Sequence, residues 1–393
     1  MLLCIILLCL TAIQLFIGLS NPYSGMDFRV NVGAIQSVNH GEDPYFLLNL
    51  NQYTHDYIPF TYAPHTLLLV WCLQFLFIFQ SIWIYYALLV AFMVIDGYLI
   101  VTLDKKPEYL FFIVLLVTGF VSTFWNFYNG DKDFLFLFLF ACTFHLLLKE
   151  KFWHSSIVLG LLGSFTLVPL PFVALSLAIK RPILKRIQYI LVSIGVVGAL
   201  FLIAWLINPA LFASYIKTFQ GSSSVLYEKS DILTPTPFLM LGVLLNQTNG
   251  ISIPLVLVSI VYICLIVGAS WYTIRKNQEN PLKVYSLAMF AIFMILPRIR
   301  PYYFIFLAIP LYILFKDCSY KLKILVFVVI SLLPLFFWYL QNFIKNYYPL
   351  IYYIGSLPYM IAEYGQTISL FLIFAITIAL EYYKPVSSPA THS

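Results

Sequence analysis

Apolar residues fall in long unbroken runs along this chain, at 2–19, 66–79, 82–103, 107–125, 134–148, 156–179, 187–207, 251–274, 284–297, 302–315, 323–340 and 366–382. A helix needs about 17–25 such residues to cross a bilayer. The runs are too uniformly apolar for the alternating strands of a barrel. In hydrocarbon, backbone groups must bond within their own segment or in a closed barrel. The pattern therefore predicts an all-α, polytopic integral membrane protein of about 11–13 helices. The first run has no basic leader and many runs follow it, so it reads as an uncleaved helix rather than a signal peptide. Residues 1–383 are expected to form a single multi-pass domain, with 384–393 a short disordered tail.

Two runs do not fit simple alternation across a membrane. Residues 66–79 are short for a crossing, and 156–179 is interrupted at LVPLP, where Pro169 and Pro171 break a helix. Half-helices dipping into the bilayer would account for both. Irregular backbone is tolerated at that depth only where protein or a wet cavity covers it.

Composition and charge add a direction. Of 393 residues, 62% are hydrophobic and 10% charged, and mean hydropathy is +0.92. Lys105, Lys106, Lys149, Lys151, Lys180, Arg181, Lys185, Arg186, Arg275, Lys276, Lys283, Lys316, Lys321, Lys323 and Lys384 fall on one side, 15 of the 22 basic residues. The positive-inside rule makes that side cytoplasmic. Loops 20–64, 208–250 and 341–365 are then outer, with the turns 126–133 and 298–301. Cys4, Cys9, Cys72, Cys142, Cys264 and Cys318 lie in or beside apolar runs without a CxxC pair. They read as small buried residues, not a metal site or disulfide framework. Asp96, near the inner end of its run, is expected to pair with Lys105 or Lys106 or to meet water. His145, near another inner end, is expected to be structural.

The outer polar segments hold the candidate chemistry. In FRVNVGAIQSV, residues 28–38, the apolar Val30, Ala34, Ile35 and Val38 recur at helical spacing. This predicts a short amphipathic surface helix, with Asp27 at its N-terminus, where a carboxylate can cap free N–H groups. Gly41 would end the helix, and Pro44 sits in the turn GEDPY. Tyr62, in FTYAPH, reads as an interfacial anchor or a site residue. In NGDKD, Gly130 permits a tight turn that carries Asp131 and Asp133. These two carboxylates are too few oxygens for a calcium site, and a solvated tip is the plainer reading. In PRIRPYY, residues 297–303, Arg298 and Arg300 stand where positive charge is usually avoided. Arg suits bidentate phosphate contacts, and lipid headgroup contact or pairing with Asp131 is the alternative.

The order of these segments carries a resemblance. An Asp just after the first helix is followed by GEDPY, FTYAP, NGDKD at a hairpin tip, the proline-broken run between KEK and KRPILKR, and a late PRIRPYYF. This resembles glycosyltransferase family 87, the polyprenyl-phosphate-sugar-dependent enzymes that include mycobacterial mannosyltransferases, over about residues 1–340. Three positions depart from that family's pattern. Asp131, Lys132 and Asp133 stand where many members have Gln and Asn, Val168 where many have Lys, and Tyr302 where some have His.

The resemblance implies a C-type glycosyltransferase (GT-C-like) fold in the cell membrane with its active site on the extracytoplasmic side. It implies transfer of a hexose or pentose, mannose first, from a polyprenyl monophosphate carrier to a glycolipid or glycan acceptor hydroxyl. Asp27 would be the general base and Arg298 and Arg300 the donor-phosphate ligands. Tyr62, Asp131, Asp133 and Tyr302 would bind substrate. No cofactor, metal or nucleic acid is expected. Broken helices also occur in transporters, so a transporter or flippase of lipid-linked sugar is the alternative, as is a lipid-linked oligosaccharide polymerase.

Overall fold

The computed structural model describes residues 25–54, 60–67, 82–118, 122–165, 169–219, 240–241, 255–296, 301–348 and 357–383, with isolated positions before residue 21. Every regular element among them is helical. They belong to two compact units, one of residues 1–234 and 300–306, the other of 235–299 and 307–393.

The first unit begins with α1 (Met26–Asn39) and α2 (Leu47–Thr54). α1 buries Phe28, Val30, Ala34 and Ile35, largely the face that the spacing of the sequence marks. It ends in a Schellman arrangement: Gly41 takes φ 74° and donates to Val38 O at 3.0 Å, while Glu42 donates to Ser37 O at 2.8 Å. Val38 itself is exposed, because it lies on this last turn. α2 then lies against α1 closely enough that a Cβ on Gly33 would come 2.5 Å from Thr54 Cγ2. Beneath them Val30, Ala34, Tyr45, Leu50, Phe60, Ala63, Leu67 and Tyr215 form one apolar cluster. The Tyr45 hydroxyl donates to Tyr62 O at 2.7 Å and fixes the path of residues 60–67.

Next come α3 (Ile82–Val101), α4 (Tyr109–Thr118), α5 (Ser122–Asn129), α6 (Asp133–Leu148) and α7 (Phe152–Phe165). After Pro169 the chain continues as a 3₁₀ segment, Leu170–Ala178, and then as α8 (Ile183–Ile207) and α9 (Pro209–Phe219). The run 156–179 is thus broken where its prolines fall. The run 107–125, expected as one span, holds the two short helices α4 and α5, with 119–121 outside the described residues. α9 lies in the segment expected as the loop 208–250, started by Asn208, whose Oδ1 accepts from Leu211 N at 3.0 Å.

α3 and α6 pack along one another, with Phe92 and Phe138 rings 6.0 Å apart. His145 Nε2 donates to Leu99 O at 2.8 Å, a structural role as expected. Asp96 corrects its expectation: it is fully buried, and neither carboxylate oxygen has a hydrogen-bond partner. Lys105 and Lys106 are exposed in the turn beyond the helix end, out of its reach. The two basic turns of this unit meet, Arg181 Nη2 lying 3.0 Å from Glu150 Oε2. α6 has 16 residues, so its first turn lies roughly 24 Å from this basic end. Residues 301–306 also join the first unit through Phe306, whose ring is 5.1 Å from that of Phe140.

The second unit contains α10 (Leu255–Lys276), α11 (Pro281–Met294), α12 (Ala308–Phe315), α13 (Tyr320–Phe327), a π segment (Val328–Leu332), α14 (Leu333–Tyr347) and α15 (Leu357–Tyr383). Asn280 caps α11 by accepting from Lys283 N at 3.1 Å, with Pro281 in its first turn. Gly365 lets α15 reach Phe337 of α14. The expected loop 341–365 narrows, since α14 runs on to Tyr347 and α15 begins at Leu357.

Among the described residues, four helices are long and apolar enough to cross a bilayer: Trp83–Val101, Ile183–Ile207, Val256–Lys276 and Tyr364–Tyr383. Only 11% of the apolar window in α8 is buried, and Leu184, Leu191, Leu206 and Ile207 stand open. Such a surface is stable only against hydrocarbon. The chain is an all-α polytopic membrane protein. The cysteines depart from expectation in the same way: Cys9 and Cys264 are exposed, Cys142 and Cys318 half-buried, because lipid solvates a thiol side chain as well as a core does. Cys4 and Cys72 lie outside the described residues.

Candidate functional site

The site is built where the start of α1 meets the turn between α5 and α6. Gly25 takes φ 75° and its N–H donates to Tyr128 O at 2.7 Å. Gly130 takes φ 67°, and a Cβ there would stand 3.0 Å from Phe28 Cβ and 3.1 Å from Gly25 Cα. Two segments a hundred residues apart are therefore joined main chain to main chain. Asp131 N donates to Asn126 O at 3.0 Å, and Asp131 Oδ1 accepts from Lys132 N at 2.7 Å. Asp133 opens α6.

The tip is not solvated, contrary to the plainer expectation. Asp131 is 2% exposed and Asp133 1%, because α1 and Phe28 cover the turn. Asp27 is half-buried in the first turn of α1. Gly25, not an acid, occupies the N-cap position.

Lys132 binds these parts together. Its Nζ lies 3.3 Å from Asn31 Oδ1 and 3.3 Å from the centre of the Tyr62 ring. Asn31 Nδ2 in turn donates to Asp27 O at 2.7 Å. Burial pushes the Lys132 ammonium down to about 8, opposed by the charges of Asp131, Asp27 and Asp133. The same three carboxylates act on the Tyr85 hydroxyl at the start of α3, whose ring lies tilted 4.9 Å from that of Phe28. Three carboxylates, one ammonium and two tyrosines thus share one end of the first unit, opposite its basic turns. A half-buried carboxylate so placed can accept a proton from a hydroxyl.

Of the residues singled out in the sequence, Asp27, Tyr62, Asp131 and Asp133 come together here. Arg298 and Arg300 lie outside the described residues. Tyr302 is described through its backbone only, in a 3₁₀ segment, Pro301–Leu307. Sequence reasoning missed Asn31, Lys132 and Tyr85. The available signals were Asn31 one helical turn after Asp27, and a lysine held between two acids in a tight turn. Among the described residues no three His, Cys, Asp or Glu side chains are grouped as metal ligands.

A cavity of about 150 Å³ lies at the other end of α1, lined by Ile35, Val38, His65, Ala204, Ile207 and Leu211 among others. His65 is buried there, its Nε2 donating to Ser164 O at 2.8 Å. The walls are mostly apolar.

Residues 60–297, more than half of the chain, match the family model described as glycosyltransferase family 87. The matched stretch contains Tyr62, Tyr85 and the turn 131–133, while Asp27 and Asn31 precede it. No curated protein and no solved structure matches the chain.

Proposed function

The chain belongs to glycosyltransferase family 87, and from that premise we propose that it moves a hexose or pentose, mannose first, from a polyprenyl monophosphate to an acceptor hydroxyl. Its family and its apolar helices make it a membrane glycosyltransferase. The proposed acceptor is a glycolipid or glycan, and the proposed location is the extracytoplasmic face of a cell membrane. That sidedness rests on the Lys and Arg distribution, which puts the Asp27 end away from the basic turns.

The observation that carries the reading is the convergence of Asp27 with Asp131, Asp133, Lys132 and Tyr62. In a single displacement, Asp27 takes the proton of the acceptor hydroxyl as its oxygen bonds to the anomeric carbon. The bond from that carbon to the phosphate oxygen breaks, and the lipid phosphate leaves with the electron pair. Charge grows on the leaving phosphate, and Arg298 and Arg300 are the residues proposed to stabilise it. Tyr62, Tyr302, Asp131 and Asp133 are proposed to meet sugar and acceptor hydroxyls. The apolar cavity between α1 and the α8–α9 elbow suits part of an isoprenoid chain.

The test is incubation of the purified protein with a panel of polyprenyl-phosphate sugars and a glycolipid acceptor, followed by assay of released polyprenyl phosphate. Release from at least one donor, dependent on acceptor, is expected. No release from any donor, with the protein folded, overturns the reading.

A further inference from the structure

Three acids in one small, partly covered site oppose each other's ionisation. A carboxylate beside like charges holds its proton to higher pH, and an opposite charge within a few ångströms reverses this. A general base has to be ionised to act. The fold supplies a positive charge from within. Lys132 stands between Asp131 and Asp133 in sequence, and its ammonium is fixed from two other segments, by Asn31 Oδ1 at 3.3 Å and by the Tyr62 ring at 3.3 Å. The ring contact needs the charged form: an ammonium is attracted to the negative face of an aromatic ring, and a neutral amine is not. Asn31 then passes the constraint on, since its Nδ2 holds Asp27 O at 2.7 Å.

We propose that Lys132 is the positioning residue of this site, a built-in counter-cation that keeps Asp27 ionised and holds the first turn of α1 through Asn31. This deepens the glycosyltransferase reading and rests on it for the role of Asp27. The groups around the ammonium are Asp27 from α1, Tyr62 from residues 60–67, and Asp131 and Asp133 from its own turn. Tyr85 of α3 shares the three carboxylates. The acids set a negative pocket, and the lysine between them keeps the reacting one free of a proton. A purely structural lysine would support folding without controlling when Asp27 titrates.

The test needs no sugar donor. The full-length protein in lipid nanodiscs is titrated with acid while the protonated-carboxyl stretch is followed by infrared difference spectroscopy. Asp27→Asn identifies the Asp27 contribution. Lys132→Gln keeps a donor for Asn31 and removes the charge. It is expected to move the Asp27 titration to higher pH by about one unit or more, and Lys132→Arg is expected to leave it in place. If the Gln variant does not insert, acetylation of the folded wild-type protein removes the charge instead, with the acetylated Arg variant as control. An Asp27 titration unchanged by loss of the charge overturns the proposal, as does an Arg variant that shifts as far as Gln. A second arm follows transfer from polyprenyl-phosphate mannose, whose acid limb should shift in parallel. Absence of transfer by the wild type would sink the glycosyltransferase chemistry proposed above, while the infrared titration would still judge Lys132.

Discussion

The Gly25 N–H meets the Tyr128 carbonyl at 2.7 Å, which pins the first turn of α1 to the last turn of α5. Asp27 reaches Asp131 and Asp133 because of this backbone bond and the glycine at 130. Gly130→Ala places a Cβ against Phe28 and Gly25 and forces alanine into a left-handed conformation. The cost expected is more than about 1 kcal/mol. Thermal unfolding should show lower stability together with lost transfer. An alanine variant as stable as the wild type would mean that the turn has another way to close.

Asp27→Asn should leave the protein inserted and folded but lower transfer by about 10²-fold or more, the scale of a lost general base. Single-turnover rates with one donor and one acceptor check this. Near-normal turnover would reduce Asp27 to a charge at a helix start.

Lys132 yields a pH dependence with two opposite signs. Its ammonium titrates near 8 in the folded protein and near 10.5 when unfolded, chiefly because burial disfavours the charge. Between those values the unfolded chain binds more protons, so this group makes stability rise with pH across that window and adds no slope below it. Transfer should instead fall as pH passes about 8, when the charge that seats Lys132 on the Tyr62 ring and faces the carboxylates is lost. Denaturant melts and rates measured from pH 7 to 10 would reveal both trends. Lys132→Met should abolish the rise in stability.

The double change Arg298→Gln and Arg300→Gln should weaken donor binding and slow transfer without opposing insertion. Lysine replacements should rescue in part, since they keep charge but lose the bidentate fork. The measurement is the donor concentration dependence at fixed acceptor. An unchanged dependence would assign the pair to headgroup contact.

A cysteine at Ser223 should react with an impermeant thiol reagent added outside, and one at Asn277, in the turn after α10, should not. The reverse labelling would invert the membrane orientation and remove the argument for an outer site.

Some elements were legible because a single segment specifies them. The spacing of Val30, Ala34 and Ile35 gave α1, Gly41 gave its end, and Pro169 and Pro171 gave the break after α7. α2 was not legible: LLNLNQYT is half polar, and only Leu50 and Thr54 are buried, against a glycine of α1. The run 323–340 looked like one plain helix, yet it widens to a π segment at Val328–Leu332, just before Pro334, which has no N–H for the carbonyl one turn back. Lys132 was hidden for another reason. Charged residues flanking a glycine read as solvent-facing, and its partner Asn31 is 101 positions away. Asp96 was assigned to nearby lysines by sequence proximity, but the helix carries it inward before those lysines appear.

The frame under Asp27 is made of main chain: two glycines in contact and a peptide N–H on a carbonyl. No rotamer has to be correct for it to form. Side chains outside the Lys132–Asn31 contact can therefore be exchanged with this backbone frame still in place, so that substrate preference and catalytic geometry are able to evolve, or be engineered, largely as separate problems.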